Sequence, residues 1–193
     1  MFSPKAVVAF AGDLETPAPT REAQCLREAL DSGTFKGQVT WLDVSMTGTL
    51  ADLAQSRADL ALIALPPEQM AAALEIVGRI RCRAALLLSS AVPQQLCSEL
   101  HQIAKRYDVH LLGPNTLGLQ RPALGLNAST LGPLAKSGAL ALVSQSGALT
   151  SAMLDWSRAH NVGFSAVVSL GPNTAVDLPQ VLDFLAGDAA TQS

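Results

Sequence analysis

The residues best suited to chemistry form a short turn, Ser144, Gln145, Ser146 and Gly147, between an apolar run and a segment of helical periodicity. The free N–H groups of a helix start and the two Ser hydroxyls can together bind an anion such as phosphate. Gly147 would let the backbone approach such a ligand closely, and the helix dipole would add a modest attraction. The alternative is that Ser146 only caps the helix. With no G-x-S-x-G motif around it, Ser146 is not predicted to be a nucleophile.

The turns after the other predicted strands are the remaining places to look, because open α/β sheets bind ligands at the carboxyl ends of their strands. The first turn, after Ala11, contains Gly12 but no G-x-G-x-x-G motif. The negative charges of Asp13 and Glu15 would repel a phosphate bound close by. Arg21 could reach this turn from the following helix. Asp43, after the second strand, would suit a ribose hydroxyl, but an ordinary strand-end Asp is the better interpretation.

No metal or redox site is predicted, because neither the cysteines nor the histidines have a metal-ligand spacing. The cysteines are interpreted as buried reduced thiols and the histidines as surface or packing residues; they are Cys25, Cys82, Cys97, His101, His110 and His160. An apolar stripe in the helix after the phosphate turn is interpreted as core; it comprises Leu149, Ala152, Met153 and Trp156.

Composition favours a compact α/β protein. The 193 residues are 49% hydrophobic and 15% charged, enough to bury a full core. A net charge of -3 offers no basic field for nucleic acid or anionic membrane. The start of the chain resembles a first strand rather than a signal peptide, so we expect a cytoplasmic protein.

The elements that must position these turns alternate as short apolar runs and helical segments, which is typical of a parallel sheet with crossover helices. Strands are predicted at 6–11, 38–44, 58–65, 83–89 and 109–112. Helices are predicted at 21–31 with Thr20 as N-cap and Gly33 past the end, near 50–56, from Pro66-Pro67 to about Arg81, and at 93–106. The fold class is therefore α/β, with a Rossmann-like doubly wound parallel sheet.

The periodicity breaks between Gly113 and Gly138, which we interpret as an ordered connection. A second α/β unit follows, with strands at 139–143 and 164–170, a helix at 147–159, and a last helix capped by Asp177 with Gln180. The predicted organisation is a domain at 1–121, a linker at 122–137 and the first part of another domain at 138–193. The sequence Leu-Gly-Pro-Asn-Thr occurs at 112–116 and again at 170–174, and good turn chemistry is enough to explain it.

Four segments resemble the front part of the NDP-forming acyl-CoA synthetases, the superfamily of the succinyl-CoA synthetase α subunit. They are 110–119, 126–130, 138–171 and 177–188. Residues 111–119 and 125–129 are especially similar to the synthetase-like region of bacterial protein lysine acetyltransferases. The resemblance implies a CoA-binding Rossmann-like domain followed by the start of a flavodoxin-like ligase domain.

The same resemblance implies where ligands lie. CoA or acetyl-CoA would cross the strand ends, near Gly12, Asp13, Leu14, Leu65, Pro66, Ser89, Ser90 and Asn115. Ser144, Gln145, Ser146 and Gly147 would hold a phosphoryl group carried on a catalytic His. None of the three His residues stands at that position, so no catalytic residue is predicted in this chain.

The implied partners are therefore downstream ligase and ATP-grasp segments of the same or a partner chain, and a homo-oligomer is also compatible. The first turn departs from the Gly- and Ser-containing phosphate grip of active relatives, and no Lys follows the second strand, which predicts weakened CoA binding.

Four functions remain open. The leading hypothesis is a CoA-binding, regulatory part of a protein lysine acetyltransferase. The alternative is part of an active ADP-forming acetyl-CoA or acyl-CoA synthetase. A nicotinamide-dependent oxidoreductase would depend on Asp43 alone, and a scaffold without ligand would fit the acidic first turn.

Overall fold

Five parallel strands form the first sheet in the computed structural model, which describes residues 1–12, 20–32, 34–44, 58–90, 92–172 and 174–192. The strands are β1 (Ala6–Phe10), β2 (Gln38–Trp41), β3 (Leu60–Ile63), β4 (Ala84–Leu88) and β5 (His110–Thr116), in the order β2-β1-β3-β4-β5. Every residue of β3 and β4 is buried, as expected for central strands covered on both faces. The predicted strands are confirmed, with ends that differ by at most four residues.

Within the described ranges, three helices cover this sheet: α1 (Arg21–Asp31), α2 (Pro67–Arg79) and α3 (Gln94–Arg106). The predicted N-cap of α1 is confirmed, since Thr20 Oγ1 accepts a hydrogen bond from Ala23 N at 3.1 Å. Leu26 of α1 packs with Leu62 on one face of the sheet. Residues of α2 and α3 pack with Ile63 on the other face. The sheet is therefore doubly wound, as predicted; the predicted helix at 50–56 and Gly33 lie outside the described residues.

The second sheet is mixed. It comprises β6 (Gly118–Arg121), β7 (Leu126–Ser129), β8 (Ser137–Ser144) and β9 (Phe164–Ser169), in the order β7-β6-β9-β8. β8 and β9 are parallel, whereas β6 runs antiparallel to both β7 and β9. The helices are α4 (Gly147–Ala159) and α5 (Leu178–Ala186). The Asp177–Gln180 capping box at the start of α5 is confirmed.

Strands β6 and β7 occupy the stretch in which the periodicity predicts no regular element. Their buried faces are partly polar, which removes the apolar alternation that indicates a strand. Gln120 is fully buried, and its Nε2 donates to Asn127 Oδ1 at 3.2 Å and Ser129 Oγ at 3.1 Å. Its Oε1 accepts from Ala135 N at 2.9 Å. The division at residues 121 and 137 stays a prediction, while the strand pairing assigns β6 and β7 to the second sheet.

The two sheets share one core. Residues of β1, β3, β4 and α1 pack with residues of β6, β7, β9 and α5 in a single apolar cluster. Thr34 Oγ1 donates to Gly125 O at 2.8 Å, which fixes the loop before β2 against the turn before β7. Buried Arg121 pairs with Asp188 at 3.0 Å and lies over the Phe184 ring. The second sheet is thus held against the first by apolar packing and by the Thr34–Gly125 hydrogen bond, whereas the Arg121–Asp188 ion pair joins β6 to the end of α5.

The prediction of a buried stripe on α4 is wrong. Leu149 is 54% exposed, Met153 38% and Trp156 51%, and Ala152 is also exposed. The buried face of α4 instead carries Thr150, Leu154 and Ser157. Periodicity identifies an apolar stripe but not which way the stripe faces, and this stripe lies about a third of a turn away from the buried face.

None of the helices in the described ranges is long and apolar enough to cross a membrane.

The cysteines differ in their exposure. Cys82 and Cys97 are each 1% exposed, and burial raises the pKa of both thiols, whereas Cys25 is half-buried. A raised pKa leaves less of the reactive thiolate at a given pH, so the two buried thiols are chemically inert in the folded protein.

We expect an aromatic disulfide reagent at mildly alkaline pH to modify only Cys25 in the folded chain. Cys82 and Cys97 should react after unfolding, because desolvation then no longer disfavours their thiolates. Mass spectrometry of the modified peptides checks this assignment, and Cys25→Ser is the control that should remove the fast reaction. Rapid modification of Cys97 in the folded protein would contradict the predicted burial.

Candidate functional site

The carboxyl ends of the first sheet form a crevice at the point where the strand order reverses. Helix α1 leaves β1 on one face, while α2 and α3 cover the other, so the reversal lies between β1 and β3. Gly12 follows β1, and Leu65 and Pro66 follow β3, so all three lie at this crevice. Ligands of doubly wound sheets bind at such a point.

Gly12, at the start of the first turn, has a cation beside it. Its φ is +71°, and an added Cβ would meet no atom of the described residues within 4 Å. Arg27 of α1 donates from Nη2 to Ala11 O at 3.2 Å and to Gly12 O at 2.5 Å. Its guanidinium lies over the Trp41 ring at 5.1 Å. Arg27 therefore links the ends of β1 and β2 and places positive charge at the turn.

Sequence reasoning does not identify Arg27, because it lies 15 residues from Gly12. The sequence signal that could have indicated Arg27 is its position on α1, directly after the core residue Leu26. Arg21, the cation suggested from the sequence, is exposed and instead lines a cleft of about 500 Å³ between α1 and residues 127–134. Asp13 and Leu14 lie outside the described residues.

The turn after β4 contains an unpartnered buried hydroxyl. Ser89 is 7% exposed, and its Oγ has no hydrogen-bond partner in the described parts of the chain. An unsatisfied buried polar group costs about 1–3 kcal/mol, so a ligand that bonded to Ser89 would recover that cost. The neighbouring Ser90 Oγ donates to Glu22 Oε1 at 2.7 Å, which ties this turn to the first turn of α1.

Asn115 acts as a clamp at the end of β5. Its side-chain Oδ1 accepts from Val92 N at 2.9 Å, and its Nδ2 donates to Val92 O at 3.4 Å. Its φ of +62° is a left-handed conformation that Asn tolerates better than most residues. Both ends of the amide are therefore engaged in holding the loop after β4.

The two Leu-Gly-Pro-Asn-Thr segments contact each other. Gly113 N donates to Thr174 Oγ1 at 3.2 Å, and Thr174 Oγ1 donates to Leu111 O at 3.3 Å. A Cβ on Gly171 would lie 2.2 Å from Asn115 O, so only Gly allows this close approach. The second segment thus packs on the first and brings the end of β9 to the end of β5.

The Ser144–Gly147 turn lies at the carboxyl end of β8. Ser146 Oγ accepts from Leu149 N at 3.3 Å, which is the capping geometry. Ser144 Oγ accepts from Ser146 N at 3.0 Å. Both hydroxyls therefore bond within the turn, whereas the N–H groups of Gly147 and Ala148 precede the first possible intrahelical bond and remain available. A Cβ on Gly147 would lie 2.6 Å from Leu117 Cδ1, so a larger residue there would require the Leu117 side chain to shift.

A lateral row of residues connects the two sites. Leu88 pairs with Thr116 across β4 and β5, Thr116 Oγ1 donates to Ser169 O, and Ser169 pairs with Ser144 across β9 and β8. Two strand pairings and one side-chain hydrogen bond between the sheets place Leu88 on the order of 15 Å from Ser144. One extended ligand, or two ligands that react with each other, could therefore contact both turns.

The histidines lie away from this row. His160 is at the other end of α4, and a helix of 13 residues separates it from the Ser144–Gly147 turn by roughly 20 Å. His110 begins β5 at the opposite edge of the sheet, and His101 lies within α3. Within the described ranges, no group of three or more His, Cys, Asp or Glu could hold a metal ion.

Comparison with known proteins identifies similarity to CoA ligases. Residues 137–193 match the family described as succinyl-CoA ligase like flavodoxin domain. Acetate–CoA ligase [ADP-forming] I of Archaeoglobus fulgidus is 37% identical over 139 residues, which are 69% of this chain and 20% of that protein. The acetate–CoA ligase [ADP-forming] I subunit alpha of Pyrococcus furiosus is 33% identical over 142 residues, 70% of this chain and 30% of the subunit.

A solved structure gives the same result for the fold. The dinucleotide forming acetyl-coenzyme A synthetase 1 of Ca. Korarchaeum cryptofilum, in complex with phosphate and ADP, superposes with a TM-score of 0.84 at 26% identity. The superposition covers 98% of this chain and 43% of that one. The chain thus spans less than half the length of the relatives that it matches. The parallel five-stranded sheet, the mixed second sheet and these similarities relate this chain, in sequence and in fold, to the ADP-forming acetate–CoA ligases and to the succinyl-CoA ligase like flavodoxin domain.

Proposed function

We propose that this chain is the CoA-binding and early ligase-like part of an NDP-forming acyl-CoA synthetase-like protein. The observation that carries the proposal is the row from Leu88 through Thr116 and Ser169 to Ser144, which connects a strand-end crevice to a helix-start turn. A thioester ligase needs CoA and an activated acyl group within reach of each other. These two turns supply one binding position for each.

On the CoA side, Gly12, Leu65, Pro66 and Ser89 would contact the ligand. Gly12 leaves room for it, and the buried Ser89 hydroxyl would gain the hydrogen bond that it lacks within the described chain. Within the described residues Arg27 bonds to Ala11 and Gly12 through Nη2 alone, so its remaining N–H groups can pair with a phosphate oxygen. This cation would offset the acidic first turn and the absent Lys after the second strand.

On the phosphate side, the N–H groups of Gly147 and Ala148 would bind the phosphoryl oxygens, aided by the dipole of α4. Ser144 and Ser146 would hold the turn in shape through their bonds to its backbone. Gln145 is exposed and would lie at the rim. The Korarchaeum synthetase structure that superposes on this chain contains phosphate and ADP, which supports a phosphate ligand.

Another polypeptide segment must bring the phosphoryl group, because none of the three histidines lies at this turn. The free edge of β8 is where we expect that segment to attach. Ser144 O accepts from Leu170 N of the β9 side, so by alternation the backbone groups of Ala141 and Val143 face outwards. Only the start of this edge is covered in the described chain, where Gln192 N donates to Ala139 O at 2.9 Å.

The handedness of the crossover connections also points to the free edge of β8. Leu154 of α4 packs with Val167 on one face of β9, and Val181 of α5 packs with Val168 on the other face. Right-handed crossovers on opposite faces carry the chain in opposite directions, so a strand after α5 would return past β9 to pair with β8. The other edge of β9 is already occupied by β6. The Ser144–Gly147 turn would then lie at a second switch point.

The names of the relatives favour a ligase over an acetyltransferase as the parent protein. The regulatory acetyltransferase interpretation depends on the segments at 111–119 and 125–129 alone. In the structure these residues form β5, β6 and β7, which join the two sheets. Residues that join the two sheets are needed in a ligase and in an acetyltransferase alike, so these segments do not distinguish the two parents. We therefore propose the ligase, which the names of the relatives favour, and retain the acetyltransferase as the second candidate.

We expect CoA to change the fluorescence of Trp41, which lies under Arg27 at the crevice. Trp156→Phe leaves Trp41 as the sole tryptophan, because the chain has two. In that background Arg27→Met should weaken CoA binding about tenfold, through loss of a charge-assisted hydrogen bond. Arg106→Met, which removes an exposed cation of α3, is the matched control. No response to millimolar CoA would contradict the CoA site, and an unchanged affinity in Arg27→Met would contradict the role of Arg27.

Ala148→Pro should weaken phosphate binding at the helix start. Proline is tolerated in the first turn of a helix, where its missing N–H has no intrahelical partner. The substitution therefore removes one proposed donor, and we expect about tenfold weaker binding of inorganic phosphate in calorimetry with Tm within about 2 °C of the original chain. Ala148→Ser retains the N–H and should bind normally. If Ala148→Pro binds phosphate as well as the original chain, the donor lies elsewhere.

The open edge of β8 predicts a hydrogen-exchange difference. In the 193-residue chain the amides of Ala141 and Val143 should exchange rapidly, because they face away from β9. In a longer protein or complex that completes the sheet, the same amides should be protected, while Leu142 is protected in both. Rapid exchange of Ala141 and Val143 in the completed protein would show that no strand pairs there.

A further inference from the structure

A cationic groove lies at the amino ends of β1, β3 and β4, on the opposite edge of the sheet from the CoA crevice. It encloses about 1000 Å³. Its apolar wall includes Phe2, Ile80 and Phe184. Phe2 is buried and packs against Phe184 with ring centroids 4.8 Å apart. The groove therefore has a firm apolar floor rather than a flat solvated surface.

Three cationic side chains line this groove, those of Lys5, Arg81 and Arg83, together with the amino group of Met1. The ion pairs formed within the described ranges involve Arg106, Arg121 and Arg158, so none of the three groove cations is neutralised there. The single carboxylate in the lining is Asp59, whose Oδ2 already accepts from Lys5 N at 2.7 Å and Ala6 N at 3.1 Å. In a chain of net charge -3, this concentration of positive charge is local.

The strand register brings these cations together. Val7 pairs with Leu60, so one residue earlier Ala6 lies beside Asp59. Ala61 pairs with Ala85, so two residues earlier Asp59 lies beside Arg83 and completes a lateral row. Two inter-strand spacings put the start of β1 on the order of 10 Å from Arg83. The long side chains of Lys5 and Arg83 can therefore converge on one group between them.

The backbone at Arg81 points to a role for its side chain. Helices α2, α3 and α4 each end with a residue of positive φ, namely Arg81 at 58°, Asp108 at 55° and Asn161 at 58°. In all three turns the next residue's N–H bonds to a carbonyl five residues earlier. Asp and Asn tolerate this left-handed conformation, whereas Arg gains nothing from it. Two of the three equivalent turns have a residue that favours the left-handed conformation. The third turn has Arg81, which lines the groove.

We propose that this groove binds an organic anion with at least two phosphate charges and an apolar or planar body, held by Lys5, Arg81 and Arg83. Guanidinium groups pair with phosphate oxygens in a bidentate manner, and Phe2 with Ile80 gives the body of the ligand an apolar contact. The site is separate from the proposed CoA crevice, because it lies at the amino rather than the carboxyl ends of the strands. A ligand there would contact α5 through Phe184 and so both sheets.

The test uses pyrophosphate and ADP as probes in calorimetric titrations of the 193-residue chain. Both should bind, with ADP tighter than pyrophosphate because of its planar body. Arg81→Asn should weaken both about tenfold, and it should also raise Tm by about 2–4 °C, because Asn suits the left-handed turn. This combination of higher stability and lost binding separates a ligand role from a structural one. Arg83→Gln should weaken binding as well.

Two control variants keep the result specific. Asp108→Asn changes the equivalent turn of α3, and Lys105→Asn removes an exposed cation outside the groove; both should bind the probes normally. The Trp41 response to CoA should persist in Arg81→Asn, so the groove and the CoA crevice can fail independently. The proposal is overturned if neither probe binds at millimolar concentration, or if Arg81→Asn binds both with unchanged affinity.

Discussion

The contact between the two Gly-Pro-Asn-Thr segments is the constraint on which the rest of the site depends. Gly171 approaches Asn115 so closely that no side chain could be added, and Thr174 bonds to the backbone on both sides of Leu112. These contacts bring the end of β9 against the end of β5. Because β8 pairs with β9, the same contacts fix where the Ser144–Gly147 turn lies relative to the first sheet. Loss of this junction would separate the two proposed ligand positions.

Much of the fold follows from local sequence. The apolar runs of β3 and β4, the Thr20 cap of α1 and the Asp177–Gln180 box of α5 are signals that act within a few residues, and the structure contains each of them. The doubly wound sheet also follows, because alternating strands and helices allow few other arrangements. The position of the Ser144–Gly147 turn at a helix start is likewise predictable, since a strand, a Ser-Gly pair and a helical period occur in order.

What could not be predicted depends on contacts between distant residues. Strand β6 carries Gln120 and Arg121 at buried positions, and their hydrogen-bond partners lie elsewhere in the chain, among them Asn127, Ser129 and Asp188. The direction of the α4 stripe depends on which strands lie beneath the helix. Arg27 becomes a site residue only when α1 folds back over the end of β1. In each case periodicity predicts the helix or strand, whereas tertiary contacts determine which of its side chains are buried or lie at a site.

Charge placement separates the two edges of the first sheet. At the carboxyl edge, Arg27 is partly used on the carbonyls of the first turn and stacked on Trp41, which fixes it as part of the wall. At the amino edge, Lys5, Arg81 and Arg83 line a groove without ion pairs in the described chain. A cation held by the backbone shapes a site, whereas cations left unpaired at the start of adjacent strands attract a ligand from solution. A single acidic chain can therefore present two anion-binding surfaces, provided that its few cations are concentrated at opposite ends of the same strands.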